Sequence, residues 1–197
     1  MARIGDTSRT SLKSIIEAVL LAAGEPLNMS NLESVFTDDE RPSSTEICKA
    51  LEELSEDYNE RGLEIREVAS GFRIQVREDT NQWVSRLWEE RPQRYSRALL
   101  ETLALIAYRQ PITRGDIEEV RGVSVRTNII RSLQEREWIR VVGHRDVPGK
   151  PALFGTTKAF LDYFNLSSLD DLPSLAEIKD MDSIEPELEL ETTDEDA

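Results

Sequence analysis

One cysteine, Cys48, and one histidine, His144, are all that 197 residues offer of the two side chains that most often build metal sites and nucleophilic dyads. A lone cysteine excludes an internal disulfide framework, and its neighbours Ile47, Ala50 and Leu51 place it as a small residue in or near a core. A dyad of Cys48 and His144 would have to join a helix to a distant strand, so His144 reads as a strand residue and not as a catalyst. Long apolar runs are missing too. None approaches the ~18–20 residues of a membrane-spanning helix, and Met1–Asp6 lacks the apolar stretch of a secretory signal. A soluble intracellular protein is expected. Gly143–Pro151 holds Gly149 and Lys150 but is one residue too long for a phosphate loop, and Pro151 stands where a Ser or Thr would bind magnesium. The sequence asks for no cofactor and no metal, and it is not read as an enzyme.

Acid is what the chain has in excess, and it is unevenly spread. The formal net charge is −15. Residues 1–90 carry 19 acids and 10 bases, residues 91–169 carry 8 and 13, and residues 170–197 carry 12 and one. The middle stretch is therefore basic between two acidic ones. Beyond Leu175 the aromatics vanish, and such a segment repels itself and cannot bury enough apolar surface to order alone. It reads as a solvated tail or as a docking peptide for a basic surface.

Periodicity divides the body into two lobes. In the first, Ser11 precedes a helix lined by Leu12, Ile15, Ile16, Val19 and Leu20, ended by Gly24-Glu25-Pro26. Ser30 and Glu33 have capping-box spacing before a short second helix. A third helix runs from about Thr45 to Arg61. Leu63–Val68 and Phe72–Val76 alternate apolar and polar about Ser70-Gly71, a hairpin pattern. Trp83, Val84, Leu87 and Trp88 suggest one more amphipathic helix before a charged linker holding Pro92.

The second lobe repeats the order. Leu99, Leu103, Ile106 and Ala107 line a helix stopped by Gln110-Pro111. Thr113 and Asp116 form a capping box, Gly122 ends the next helix, and Ser124 stands where a cap for the third would be. Trp138–Val142 and Ala152–Phe154 read as a hairpin, with Pro148-Gly149 as a type II turn and Lys150 held extended before Pro151. Three helices closed by a hairpin, twice over, predict a mainly α (α+β) fold of two tandem winged-helix domains. The expected bounds are a flexible start at 1–10, a first domain at 11–90, a linker at 91–95, a second domain at 96–175 and an acidic disordered tail at 176–197.

Ala107–Arg114, Ile117–Gly122, Gly143–Pro151, Phe154–Thr157, Phe160–Phe164 and Ser168–Pro173 together resemble segregation and condensation protein B, the ScpB family. Fainter matches lie around Ile16–Val19 and Ala23–Pro26, so the resemblance covers roughly Leu12 to Leu175. It implies a non-enzymatic accessory subunit of the bacterial SMC complex. It further implies a cytoplasmic, nucleoid-associated homodimer, joined largely through the first lobe, that binds the kleisin ScpA and through it the SMC ATPase.

Candidate contacts follow from the residues. Turns present recognition groups from a rigid scaffold, which points to Tyr108, Arg109, Gln110, Arg121, Arg145, Asp146 and Lys150 for a partner, with a specific inter-element hydrogen bond as the other reading of Arg109, Gln110, Arg145 and Asp146. Trp83, Leu87 and Trp88 exceed what one small hairpin could cover and point to self-association. Winged helices also bind DNA, but the third helix of the first lobe carries Glu46, Glu52, Glu53, Glu56, Asp57 and Glu60 and would be repelled by phosphate. In the second lobe Arg126, Arg131, Arg136, Arg140, Arg145 and Lys150 leave three readings open: a solvated face with intrachain pairs, an acidic or peptide partner, or weak DNA contact. The alternative function is a DNA-binding regulator that uses the second lobe.

Overall fold

Polar caps decide where the helices start in residues 11–87 and 95–174, which the computed structural model describes. α1 (Leu12–Ala23) begins at Ser11, whose hydroxyl accepts the Ser14 N–H, and ends at left-handed Gly24. α2 (Met29–Ser34) begins at Asn28, where Asn28 Oδ1 accepts the Asn31 N–H at 2.9 Å and Asn31 Oδ1 accepts the Asn28 N–H at 3.3 Å. The expected box of Ser30 and Glu33 is displaced. Paired backbone bonds between Leu27 and Phe72, both 2.9 Å, hold Leu27 extended, so the chain is first free to turn at Asn28. α3 (Ser44–Asp57) starts on a box of Ser43 and Glu46 and stops at Tyr58, short of the expected Arg61. The Tyr58 ring is buried and its hydroxyl donates to Glu17 at 2.5 Å, which anchors the chain on α1 at that point.

Ile16, Leu20, Leu32, Ile47, Leu51 and Leu54 form the core of this lobe. Cys48 is exposed, against expectation, because one step of ~100° along α3 carries it off the face that holds Ile47, Ala50 and Leu51. β1 (Leu63–Val68) and β2 (Gly71–Val76) pair antiparallel, with Val68 opposite Gly71. Gly71 has φ 135°, and a Cβ there would lie 2.2 Å from the Leu27 carbonyl oxygen, so the turn accepts only glycine. The helix expected around Trp83 is reduced to α4 (Asn81–Val84) and a 3₁₀ turn, Ser85–Leu87, with no buried residue. Neither core of the described residues takes in this segment, and four residues are too few to hold a helix alone. Trp88 and most of the expected linker lie outside the described residues.

The second lobe is built on α5 (Arg97–Arg109), capped by Ser96. A short strand that the sequence did not announce, β3 (Ile112–Thr113), follows Pro111. α6 (Arg114–Arg121) has the expected box of Thr113 and Asp116 and ends at left-handed Gly122. α7 (Thr127–Glu135) starts at Arg126 without a side-chain cap, not at Ser124. The reason is Val125, fully buried, whose N–H donates to Glu118 at 2.9 Å and whose carbonyl accepts from Arg114 at 2.5 Å. That anchor keeps the chain extended beyond Ser124.

β4 (Ile139–His144) and β5 (Ala152–Thr156) close a sheet of order β3-β5-β4. The hairpin turn runs over Pro148 and Gly149, with the Lys150 N–H donating to the Val147 carbonyl at 2.9 Å. Lys150 itself has φ 38° and is not extended. It must bend back because the Arg145 N–H has to meet the Pro151 carbonyl at 3.0 Å. α8 (Lys158–Tyr163), capped by Thr157, lays Phe160 into the core of Leu103, Ile106, Ile117, Leu133, Trp138 and Phe154.

A polar seam joins the two lobes. Asp162 on α8 accepts the Ser70 N–H at 2.9 Å and the Ser70 hydroxyl at 2.6 Å. Arg73 donates to the Asp162 carbonyl at 3.0 Å and to the Asn165 side chain, and Arg66 donates to the Asn165 carbonyl at 3.1 Å. A backbone bond from Ala69 to Leu166, 3.0 Å, completes it.

One carboxylate ties the second lobe's hairpin to its helices. Asp116 accepts the Thr113 N–H at 3.0 Å and both terminal nitrogens of Arg145 at 2.9 and 2.6 Å. The Arg145 bonds, then the Thr113 N–H, hold its carboxyl well below the usual carboxylate range. The folded chain thus binds this proton less tightly than the unfolded chain, whose Asp titrates near pH ~4. The stabilisation is complete above that pH and is lost as pH falls below it.

Two outcomes are expected. Asp116→Ala lowers the melting temperature at pH 7 by about 2–8 °C, from a cap worth ~1–2 kcal/mol at ~2–4 °C per kcal/mol. The gap to wild type narrows in circular-dichroism melts below pH ~4, and a gap independent of pH would refute this account. Asp162→Ala leaves both cores intact but loosens the seam. Spin labels on Cys48 and on an engineered Ser124→Cys should report one narrow distance in wild type and a broadened one in the variant. An unbroadened distribution would exclude the seam as what sets the geometry.

Candidate functional site

α5 is apolar on more than one side, and that is where the site arises. Leu99, Leu103, Ile106 and Ala107 face the core, while Leu100, 42% exposed, Ala104 and Tyr108 form a second row at four-residue spacing. An amphipathic surface helix needs only the first row. Ala104 and Tyr108 make a low ridge with a groove on each side. One, about 290 Å³, is lined by Leu100, Ala104, Tyr108, Phe164, Leu172 and Pro173. The other, about 490 Å³, is lined by Ala104, Leu105, Tyr108, Arg109, Arg121 and Val123, with Glu101 at its end.

The larger groove has an apolar floor and a charged rim. Val123, 57% exposed, is carried to its edge by the left-handed turn at Gly122. Arg121 is nearly buried and donates to Glu101 at 3.0 Å and to the Thr102 hydroxyl at 3.4 Å, while its Nε has no partner. Glu101 also accepts from Arg97 at 2.8 Å, and the two arginines, Arg97 first, lower its carboxyl below the ordinary value. Arg109 is exposed at the last turn of α5, where a cation suits the helix dipole. The rim is positive: Arg109 and Arg121 stand against Glu101. Such a surface fits an apolar segment with acidic flanks.

The structure brings Tyr108, Arg109 and Arg121 together here and places the other candidates elsewhere. Gln110 points inward, with Oε1 accepting the Thr156 N–H at 2.7 Å and Nε2 donating to the Ala107 carbonyl at 3.1 Å. Its close neighbour is Gly155, where a Cβ would lie 2.9 Å from Gln110 Oε1. Arg145 is engaged with Asp116 at the far end of α6, and Asp146 and Lys150 are exposed on the hairpin tip. Trp83 and Leu87 are 57% and 76% exposed on the first lobe. The basic face is partly engaged within the chain, since Arg131 pairs with Glu135 at 2.7 Å and Arg136 stacks on Tyr95 and Trp138 at 4.8 and 5.4 Å. Ala104, Leu105 and Val123 were missed in the sequence. The second row on α5 was the signal that could have found Ala104.

Among the described residues no cluster of His, Cys, Asp or Glu could hold a metal, and no helix is long and apolar enough to cross a membrane. A family model described as "Segregation and condensation complex subunit ScpB" matches residues 14–175. The segregation and condensation protein B homolog of Coxiella burnetii is 60% identical over 178 residues, which is 90% of this chain and 85% of that one. Among solved structures, ScpB from Mycobacterium tuberculosis is 30% identical at a TM-score of 0.37, over 82% of this chain and 99% of that one. A dimer of an ScpB N-terminal domain complexed with an ScpA peptide is 29% identical at a TM-score of 0.35, over 39% of this chain and 93% of that one. The match over 14–175 and the identity to the Coxiella relative are sufficient: the chain belongs to the ScpB family of segregation and condensation complex subunits.

Proposed function

We propose that this protein is a non-enzymatic scaffold in chromosome condensation and segregation that holds a segment of the kleisin ScpA in the groove beside α5. The observation that carries the reading is the groove itself, an apolar floor with a basic rim on the rigid second lobe of an ScpB-family chain. An extended kleisin segment with apolar and acidic side chains would bury the former and pair with the latter. The scaffold holds no reactive group in this account. It fixes the path of the kleisin, and through the kleisin it sits with the SMC ATPase on the nucleoid in the cytoplasm.

The two repeats of three helices and a hairpin are read as tandem winged helices, at 11–90 and 96–175. The first serves self-association. Exposed Trp83 and Leu87 support a homodimer face there, since large apolar groups left open on a small lobe mark an interface. The duplex-binding reading gains no support, because Arg131, Arg136 and Arg145 are occupied within the chain.

Val123→Asp, at an exposed position, should weaken binding of the central ScpA segment at least about tenfold in a calorimetric titration, a loss of ~1.4 kcal/mol. Arg109→Glu should act in the same direction. Affinity unchanged in both variants would remove the groove from the interface. For the dimer, sedimentation at micromolar concentration should find two copies in wild type and one in Trp83→Ala/Leu87→Ala. A monomeric wild type would end the dimer proposal.

A further inference from the structure

We infer that the groove beside α5 is also the docking site of the chain's own acidic segment, Leu175–Ile184. The path of the chain leads there. Leu172 packs against the second core, and the Tyr108 hydroxyl donates to the Pro173 carbonyl at 2.6 Å. The described chain therefore ends, at Ser174, against the ridge of Ala104 and Tyr108, with the larger groove on the other side of that ridge. Three extended residues span ~10 Å, so the next few residues suffice to cross it.

The chemistry of the segment matches the groove. Leu175, Ile178, Met181 and Ile184 recur every third residue, with Glu177, Asp180 and Asp182 between them and Lys179 as the single base. The apolar residues suit Ala104, Leu105, Tyr108 and Val123, and the carboxylates suit exposed Arg109 on the rim. Tethering adds to this. A segment joined to its site by a short connection meets it at an effective concentration in the ~mM range, so a weak contact is substantially populated. The family match stops at residue 175, where the segment begins. A consequence, which rests on the scaffold reading above, is that the segment and the kleisin compete for one surface.

The full-length chain tests the docking without any partner. A photo-crosslinking residue, Val123→p-benzoylphenylalanine, is introduced, and equal amounts of ¹⁴N- and ¹⁵N-labelled chains are mixed before irradiation. Docking in cis gives crosslinks from position 123 to residues 175–184 with unmixed isotopes. Mixed isotopes would assign the groove to a second copy, and crosslinks elsewhere, or none, would overturn the docking. Amide shifts provide an independent check: Ile178→Asp/Met181→Asp should move the signals of Ala104, Leu105, Arg109 and Val123, and unmoved signals would also overturn it. The same double variant should bind the ScpA segment about three- to tenfold more tightly than wild type, because the groove is no longer occupied. Crosslinks in cis with unchanged ScpA affinity would keep the docking and remove the competition.

Discussion

α6 is eight residues long, far below what holds a helix in water by itself, and the second lobe depends on how it is held at both ends. At its start Asp116 closes the capping box and takes the guanidinium of Arg145 from the hairpin. At its finish Arg121 reaches back to Glu101 on α5. Exposed ion pairs contribute little singly, on the order of 0–1 kcal/mol, but these two are geometric constraints on one short rod. Between them Ile117 is driven fully into the core. The position of Val123, and hence the width of the groove, follows from that clamping.

The groove exists because α5 is asked to do two things. Its inner row is satisfied by the core, and its outer row of Leu100, Ala104 and Tyr108 is left over. A small residue at Ala104 leaves room where Leu would fill it. The same economy shows in the arginines. Arg131, Arg136 and Arg145 are taken by Glu135, by aromatic rings and by Asp116, while Arg109 and Arg121 at the groove stand against the one carboxylate of Glu101.

Periodicity and caps made most of the architecture readable in the sequence. Thr113 with Asp116, Gly122, Gln110-Pro111 and the alternation on either side of Gly71 each name their element through local stereochemistry. The misses share a cause, which is that a distant contact outranked a local signal. Phe72 fixed Leu27 and moved the start of α2 to Asn28. Buried Val125 overrode Ser124 as a cap. The ladder bond to Pro151 forced Lys150 into a left-handed turn. For the site, Tyr108, Arg109 and Arg121 were legible as a turn and a helix end. That Gln110 and Arg145 would make inter-element hydrogen bonds was legible as an alternative to recognition, but their partners Thr156 and Asp116, 46 and 29 residues away, were not.

The seam between Ser70 and Asp162 determines how this molecule carries load. Its bonds run from the tip of one hairpin, through Asp162, Asn165 and Leu166, to a helix whose Phe160 is rooted in the second core. The first lobe meets the second through several bonds at once, from Ser70, Arg73, Arg66 and Ala69 to Asp162, Asn165 and Leu166. Bonds loaded side by side yield together instead of unzipping one after another. To part the two lobes, these bonds would have to be broken together, and the wetting of one alone would leave the others holding.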